Sequence, residues 1–124
     1  RREHHGVDIF APRHTPVLAP SDARVTRVGE GDIGGRYVWL YDSKRSIYLY
    51  FAHLQTQEVI EGEKVLEGQL IGTVGNTGNA RYTPPHLHFG IYRRGPVDPY
   101  HFIAETDTIP DVIVGDTLLT IEAL

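Results

Sequence analysis

The chain has 124 residues, 40% of them hydrophobic and 23% charged, which is the size and balance of one soluble domain and excludes a disordered segment. Its net charge of −4 and pI near 5.9 remove the usual signature of a nucleic-acid binder. No apolar run approaches the roughly 18–20 residues of a membrane helix, and neither cysteine nor methionine occurs.

Taken in chain order, the first concentration of reactive side chains is Arg2-Glu3-His4-His5-Gly6-Val7-Asp8. Short strands are then expected at Val17–Ala19 and Arg24–Val28. A third, Tyr37–Tyr41, alternates, with Val38 and Leu40 on one face and Tyr37, Trp39 and Tyr41 on the other. Asp42-Ser43-Lys44-Arg45 reads as a hairpin tip leading into a strand at Ile47–Phe51, and His53 follows it. Gln69–Val74 is a further strand. Gly75-Asn76-Thr77-Gly78-Asn79 is a loop whose residues tolerate positive φ. Pro84-Pro85 fixes an extended approach to His86–Tyr92, where Leu87, Phe89 and Ile91 oppose His86, His88 and Tyr92. Thirteen glycines and eight prolines punctuate the chain and no stretch keeps helical periodicity, so the fold class expected is all-β.

The composition changes after Ile103. Residues 104–124 carry Glu105, Asp107, Asp111, Asp116 and Glu122 and no lysine or arginine, whereas residues 1–103 hold 12 basic and 11 acidic residues. Two units are expected: a functional domain over 1–103 and an acidic C-terminal tail over 104–124. Val112-Ile113-Val114 and Leu118-Leu119-Thr120-Ile121 have strand propensity, so the tail is expected to pack on the body. The absence of methionine suggests a piece of a longer protein, with an upstream domain or anchor outside this chain.

Without cysteine, thiol nucleophiles and thiolate metal sites are excluded, and seven histidines carry what metal and neutral-pH proton chemistry there is. An H-x-H on a strand places both imidazoles on one face, about 6.5–7 Å apart along the chain. Both can share one metal, or one can bind it while the other faces a substrate. His4, Asp8 and one member of the His86/His88 pair supply N, O and N, and zinc wants three or four such ligands with a position left open. Taken singly, each has a plainer reading. His4 and His5 are near-terminal and solvated, Asp8 starts a turn, and His53 is a core-edge histidine bonded to backbone. His14 and His101 have no partner motif.

The order and spacing of these pieces resemble the lysostaphin-type zinc metallopeptidases, which hydrolyse peptide bonds of bacterial peptidoglycan. The resemblance runs from Arg2 to about Ile103. It is carried by His4-His5-Gly6-Val7-Asp8-Ile9, Thr15-Pro16-Val17-Leu18-Ala19, Tyr50-Phe51-Ala52-His53-Leu54, Val65 to Gly72, Gly75-Asn76-Thr77-Gly78, His86-Leu87-His88-Phe89 and Val97-Asp98-Pro99. It implies antiparallel sheets with a groove across them, of the duplicated hybrid motif-like kind. It implies Zn2+ held by His4, Asp8 and His88, with His53 and His86 as catalytic histidines near the metal and His5 only a spacer. Two departures stand out: His14 and Ala23 occupy places where the family commonly has glycine.

The function so implied is a zinc-dependent endopeptidase acting on peptidoglycan stem peptides and crosslinks in the periplasm or cell envelope, with no nucleic acid and no membrane segment in this chain. D,D-endopeptidase action on diaminopimelate crosslinks is favoured over cleavage of glycine bridges. Arg81 and Tyr82, in the loop before the histidine strand, and Tyr92, on its histidine face, are the candidate substrate contacts, because a guanidinium fork suits a carboxylate. The alternatives are an inactive relative that binds peptidoglycan or activates another hydrolase, and an unrelated cupin-like metal protein. The complete histidine set speaks against the first. The second would need a further Glu and His downstream, where only Glu105 and His101 stand.

Overall fold

The computed structural model describes residues 5–93, 112–114 and 117–119. Among these there is no α-helix, and the one helical turn is a 3-10 turn at Gly78–Ala80. Ten strands form one hydrogen-bonded antiparallel network: β1 His5–Phe10, β2 Pro16–Leu18, β3 Ala23–Gly31, β4 Gly35–Asp42, β5 Ile47–Gln57, β6 Lys64–Val65, β7 Leu70–Val74, β8 His86–Arg93, β9 Val112–Val114 and β10 Thr117–Leu119. The main path runs β10-β9-β2-β7-β5-β4-β3-β6, while β8 pairs with β5 and carries β1 on its other side. The all-β expectation holds, and no described helix is long and apolar enough to cross a membrane.

β5 is the axis of the fold. Its first half pairs with β8 from Ile47↔Arg93 to Ala52↔His88, and its second half pairs with β7 from Leu54↔Val74. The handover falls at His53, which adopts φ 63, a left-handed conformation uncommon for a non-glycine residue. The sequence reading ended this strand at Phe51. The chain instead continues to Gln57 because irregular register against β4 and β7 lets it bend without losing its partners.

Alternation sorts the two faces. Val38, Leu40, Leu49, Phe51, Phe89 and Ile91 are fully or almost fully buried and join Val17, Val25, Leu54 and Ile71 in a single core. Phe51 and Phe89 pair directly across β5 and β8 with ring centroids 5.1 Å apart. Burying each such side chain contributes about 1.5–3 kcal/mol. The opposite face of the same strands carries the histidines and a row of tyrosines.

The hairpin tip after β4 is fixed by Asp42, which is wholly buried. Its carboxylate accepts from Ser21 Oγ at 2.8 Å, from the Arg45 backbone N–H at 3.1 Å and from the Arg45 guanidinium at 3.0 Å. His14 takes φ 77, the conformation glycine would supply at the place where the family commonly has it. Ala23 is accommodated in β3 and is buried. β9 joins the sheet at Val17↔Val114 and pairs with β10. The expected boundary at residue 103 lies outside the described residues, as do His4 and His101.

Candidate active-site groove

β1 and β8 run antiparallel in a register that sets Asp8 opposite His88 and Phe10 opposite His86. Asp8 and His88 therefore meet side by side, with His88 Nδ1 2.8 Å from Asp8 Oδ1. His86, two residues earlier on the same face, brings Nε2 to 4.0 Å from the same oxygen and packs its ring 4.9 Å from that of Phe10. From the bend of β5, His53 brings its ring to 5.0 Å from His86 and 6.3 Å from His88. These four side chains line a hollow of about 410 Å³, whose walls also include Tyr50 and Gly34.

The two buried imidazoles are oriented alike. His53 Nδ1 lies 2.8 Å from the Thr77 carbonyl, and His86 Nδ1 lies 3.0 Å from the Pro84 carbonyl. A carbonyl only accepts, so each Nδ1 must carry the hydrogen and each neutral ring keeps its lone pair on Nε2. His53 is further held by its backbone N–H, which donates to the Gly34 carbonyl at 2.7 Å. Burial pushes the His53 imidazole below its ordinary pKa. The Thr77 carbonyl opposes this, His86 and His88 add to it, and Asp8 opposes it. His53 is thus set to be neutral near pH 7.

The loop that supplies the Thr77 carbonyl is interlocked with the β3–β4 turn. Thr77 Oγ1 donates to the Leu54 carbonyl at 2.9 Å and accepts from the Arg36 N–H at 3.0 Å. Gly35 and Gly78 take φ 62 and 72, and a Cβ on either would collide with backbone of the other segment. Positive φ and close approach both require glycine here, so the loop expectation for 75–79 is met at Gly78.

Asp8, His53, His86 and His88, all expected from the sequence, come together. His4 lies outside the described residues, and among those described no three His, Asp or Glu side chains are arranged so as to hold a metal ion by themselves. The donor chemistry is nevertheless apt for zinc. Ligand atoms about 2.0–2.1 Å from a tetrahedral zinc stand roughly 3.3 Å from each other. The Asp8–His88 pair needs only a small widening to accept it.

Arg81 and Tyr82 sit between Ala80 and Thr83, which line the hollow, but they project outward. Tyr82 is 88% exposed, and the Arg81 guanidinium lies 5.2 Å from its ring centroid. Tyr92 is half-buried with its ring 5.3 Å from Trp39. Local spacing assigned no role to Tyr50, Gly34 and Thr77, which reach the site through cross-strand pairing of β5, through the β3–β4 turn and through the loop before the 3-10 turn. Tyr50 was marked by its alternation with Leu49 and Phe51 and by its place in the segment leading to His53.

Peptidase family M23 matches residues 2–99. The peptidoglycan DD-endopeptidase ShyC of Vibrio cholerae is 42% identical over 94 residues, which cover 76% of this chain and 21% of the relative. The chain thus spans about a fifth of that relative's length. Among solved structures, the catalytic domain of the antimicrobial peptidase lysostaphin from Staphylococcus simulans superposes with a TM-score of 0.67 at 36% identity, covering 72% of this chain and 66% of that one. A zinc-containing peptidase from Vibrio cholerae gives 0.64 at 32% identity, covering 69% of this chain and 26% of that one.

Proposed function

The chain belongs to peptidase family M23, and we propose that it is a zinc-dependent endopeptidase that hydrolyses the peptide crosslinks of bacterial peptidoglycan in the periplasm or cell envelope. The observation that carries the reading is the placement of two buried imidazoles, each locked by a carbonyl at Nδ1, beside the facing Asp8 and His88. In this reading Asp8 and His88 hold the metal, joined by His4, the histidine four residues before Asp8 in the motif that carries the resemblance.

Zinc, when bound, supplies Lewis acidity and lowers the pKa of bound water to about 7. The protein residues do the rest. His53 and His86 present Nε2 to the groove, where each can take up a proton and return it to a leaving amine. No glutamate in an H-E-x-x-H helix is available for that work, so the two histidines divide it. In the cationic form each Nε2–H also becomes a donor to an oxyanion. The fixed Nδ1 bonds spare the rings reorientation during turnover.

For the bond cleaved we propose the D-alanyl–diaminopimelate crosslink, supported by the DD-endopeptidase activity for which the 42% identical relative is named and by an exposed arginine in the loop beside the groove. Parallel digestion of a crosslinked muropeptide dimer and of pentaglycine, with zinc content measured on the same preparation, tests the reading. Monomers released from the dimer, with pentaglycine intact, are expected. Cleavage of pentaglycine alone overturns the bond assignment, and cleavage of neither overturns the endopeptidase.

A further inference from the structure

The face of the sheet that holds the histidines does not end at the groove. Cross-strand pairing sets Tyr50 beside Trp39 and Tyr48 beside Tyr41. Tyr50 faces Gly90 on β8, and with no side chain there its ring stands 6.2 Å from His88, edge-on. On its other side Tyr50 meets Trp39 at 4.5 Å and Tyr37 at 6.1 Å. Tyr50, Trp39 and Tyr37 are all half-buried, each keeping part of its ring open to solvent. Burial raises the Tyr50 phenol above its ordinary pKa, with Tyr92 and Tyr37 adding to the shift, so it stays a neutral hydroxyl.

Cations edge this row. Arg27 pairs with Trp39 and lies 5.9 Å from the Tyr37 ring centroid, and Arg24 pairs with Tyr41. Beyond Tyr41 a second hollow of about 490 Å³ is lined by three cations, Arg24, Lys44 and Lys64, against one carboxylate, Asp22, together with Thr26 and Ser43. This basic margin belongs to a chain whose net charge is −4. The described tail strands pair elsewhere in the sheet, β9 with β2 at Val17↔Val114, with β7 and β5 between them and β4.

We infer that the Tyr50–Trp39–Tyr37 row is a platform for the glycan strand of the substrate. The inference rests on the endopeptidase reading and extends it from the peptide to the sugar chain. Three features select that occupant. Pyranose rings present flat C–H faces with hydroxyl rims, which suit aromatic rings carrying one polar tip. The stem peptides that branch from the strand carry carboxylates, which suit Arg24, Arg27 and the lysine hollow. The row is also continuous with the groove through Tyr50, and a stem peptide seated at His53 and His86 is covalently joined to a sugar a few residues away.

Trp39 is the one tryptophan in the chain, so its emission reports on the platform directly. Glycan strands stripped of their stem peptides by an amidase, with the freed lactyl carboxyls capped as methylamides to match their amide linkage in the substrate, are titrated against the zinc-loaded protein. A saturable shift of Trp39 emission is expected, weakened at least tenfold in Tyr50→Ala. In parallel, kcat/KM is measured on a crosslinked dimer with its disaccharides and on the same dimer without them. Wild type is expected to prefer the sugar-bearing dimer, and Trp39→Ala to lose at least tenfold of that ratio. The ratio within one variant cancels any general loss of folded protein, which thermal melting checks separately. An emission response to the sugar-free dimer but not to stripped strands overturns the proposal and makes the row a peptide subsite. No response to either, with no preference between dimers, also overturns it while leaving the endopeptidase standing. A saturable response to strands in a protein that cleaves neither dimer supports the platform and removes the endopeptidase.

Discussion

Asp8 Oδ1 and His88 Nδ1 stand 2.8 Å apart because their Cα positions are direct partners across β1 and β8. Sheet register, not a loop, sets this pair. A site built on paired strands holds its donors more precisely than one on mobile segments. Asp8→Ala removes the anionic donor and should weaken zinc binding by more than the ~10–100-fold that loss of an outer partner costs. Competition with a chromophoric chelator measures this. Unchanged affinity would remove Asp8 from the metal set.

In the proposed site His86 acts beside the metal without binding it; its Nδ1 is engaged with the Pro84 carbonyl and its Nε2 is 4.0 Å from Asp8 Oδ1. His86→Ala should keep zinc and lower kcat by about 10²–10⁴, the range for loss of a general acid–base group. Metal analysis with steady-state kinetics on one preparation separates the two effects. If His86→Ala loses zinc while His88→Ala retains it, the assignment within the H-x-H pair is reversed.

The strands of this fold were legible where alternation is clean, as in Val38 and Leu40 against Tyr37, Trp39 and Tyr41, because a half-buried strand must sort its side chains by face. β1, β6 and the last turn of β5 were not. β6 has two residues, and β5 bends at His53 through a left-handed residue that propensity does not predict. The histidines were legible through the H-x-H spacing and the resemblance. Thr77 was not, because its role comes from a carbonyl brought in from a loop 24 residues away. The unusual His14 in a glycine place did flag its backbone, which takes φ 77.

Burial lowers the His53 pKa, which sets the sign of two pH effects. The proposed mechanism needs neutral His53, so the acid limb of kcat/KM should lie below 6.5, the unperturbed imidazole value. In the unfolded chain the same ring protonates more readily. Its contribution to stability is therefore complete above about 6.5 and is lost as pH falls through the depressed folded value. Thermal melts from pH 8 to 5 should show this decline. An acid limb governed by a group titrating above 6.5 would contradict the assignment.

Thr77 holds His53 through its carbonyl, and its side chain holds Thr77 itself by bonds to Leu54 and Arg36. Thr77→Val keeps the shape and leaves both backbone groups unpaired, at a cost of about 1–3 kcal/mol. The melting temperature should fall by roughly 5–10 °C. kcat should fall with it at temperatures where the variant remains folded, because the His53 ring loses its fixed tautomer. Thr77→Ser restores the hydroxyl and should recover both readouts. Recovery of the melting temperature without kcat would separate the loop's stability from the placement of His53.

Arg81 stands in the loop between Ala80 and Thr83, which line the groove, and its backbone is well fixed. The Thr83 N–H donates to the Ala80 carbonyl at 2.9 Å, and Asn76 Nδ2 donates to the Arg81 and Thr83 carbonyls at 3.4 Å each. The guanidinium rests over the exposed Tyr82 ring, 5.2 Å from its centroid, which restrains a long side chain that would otherwise pay more entropy on binding. A diaminopimelate crosslink offers a carboxylate that a glycine bridge lacks. Exposure limits the contact to about 1 kcal/mol. Arg81→Ala should therefore raise KM on the crosslinked dimer roughly fivefold, with kcat and zinc content unchanged, since uniform binding is what is removed. Arg81→Lys keeps the charge without the fork and should recover only part. The difference between wild type and Arg81→Ala should shrink as salt rises, because screening weakens an exposed ion pair. Equal KM values at low ionic strength would return Arg81 to the solvated surface and leave the histidine chemistry untouched.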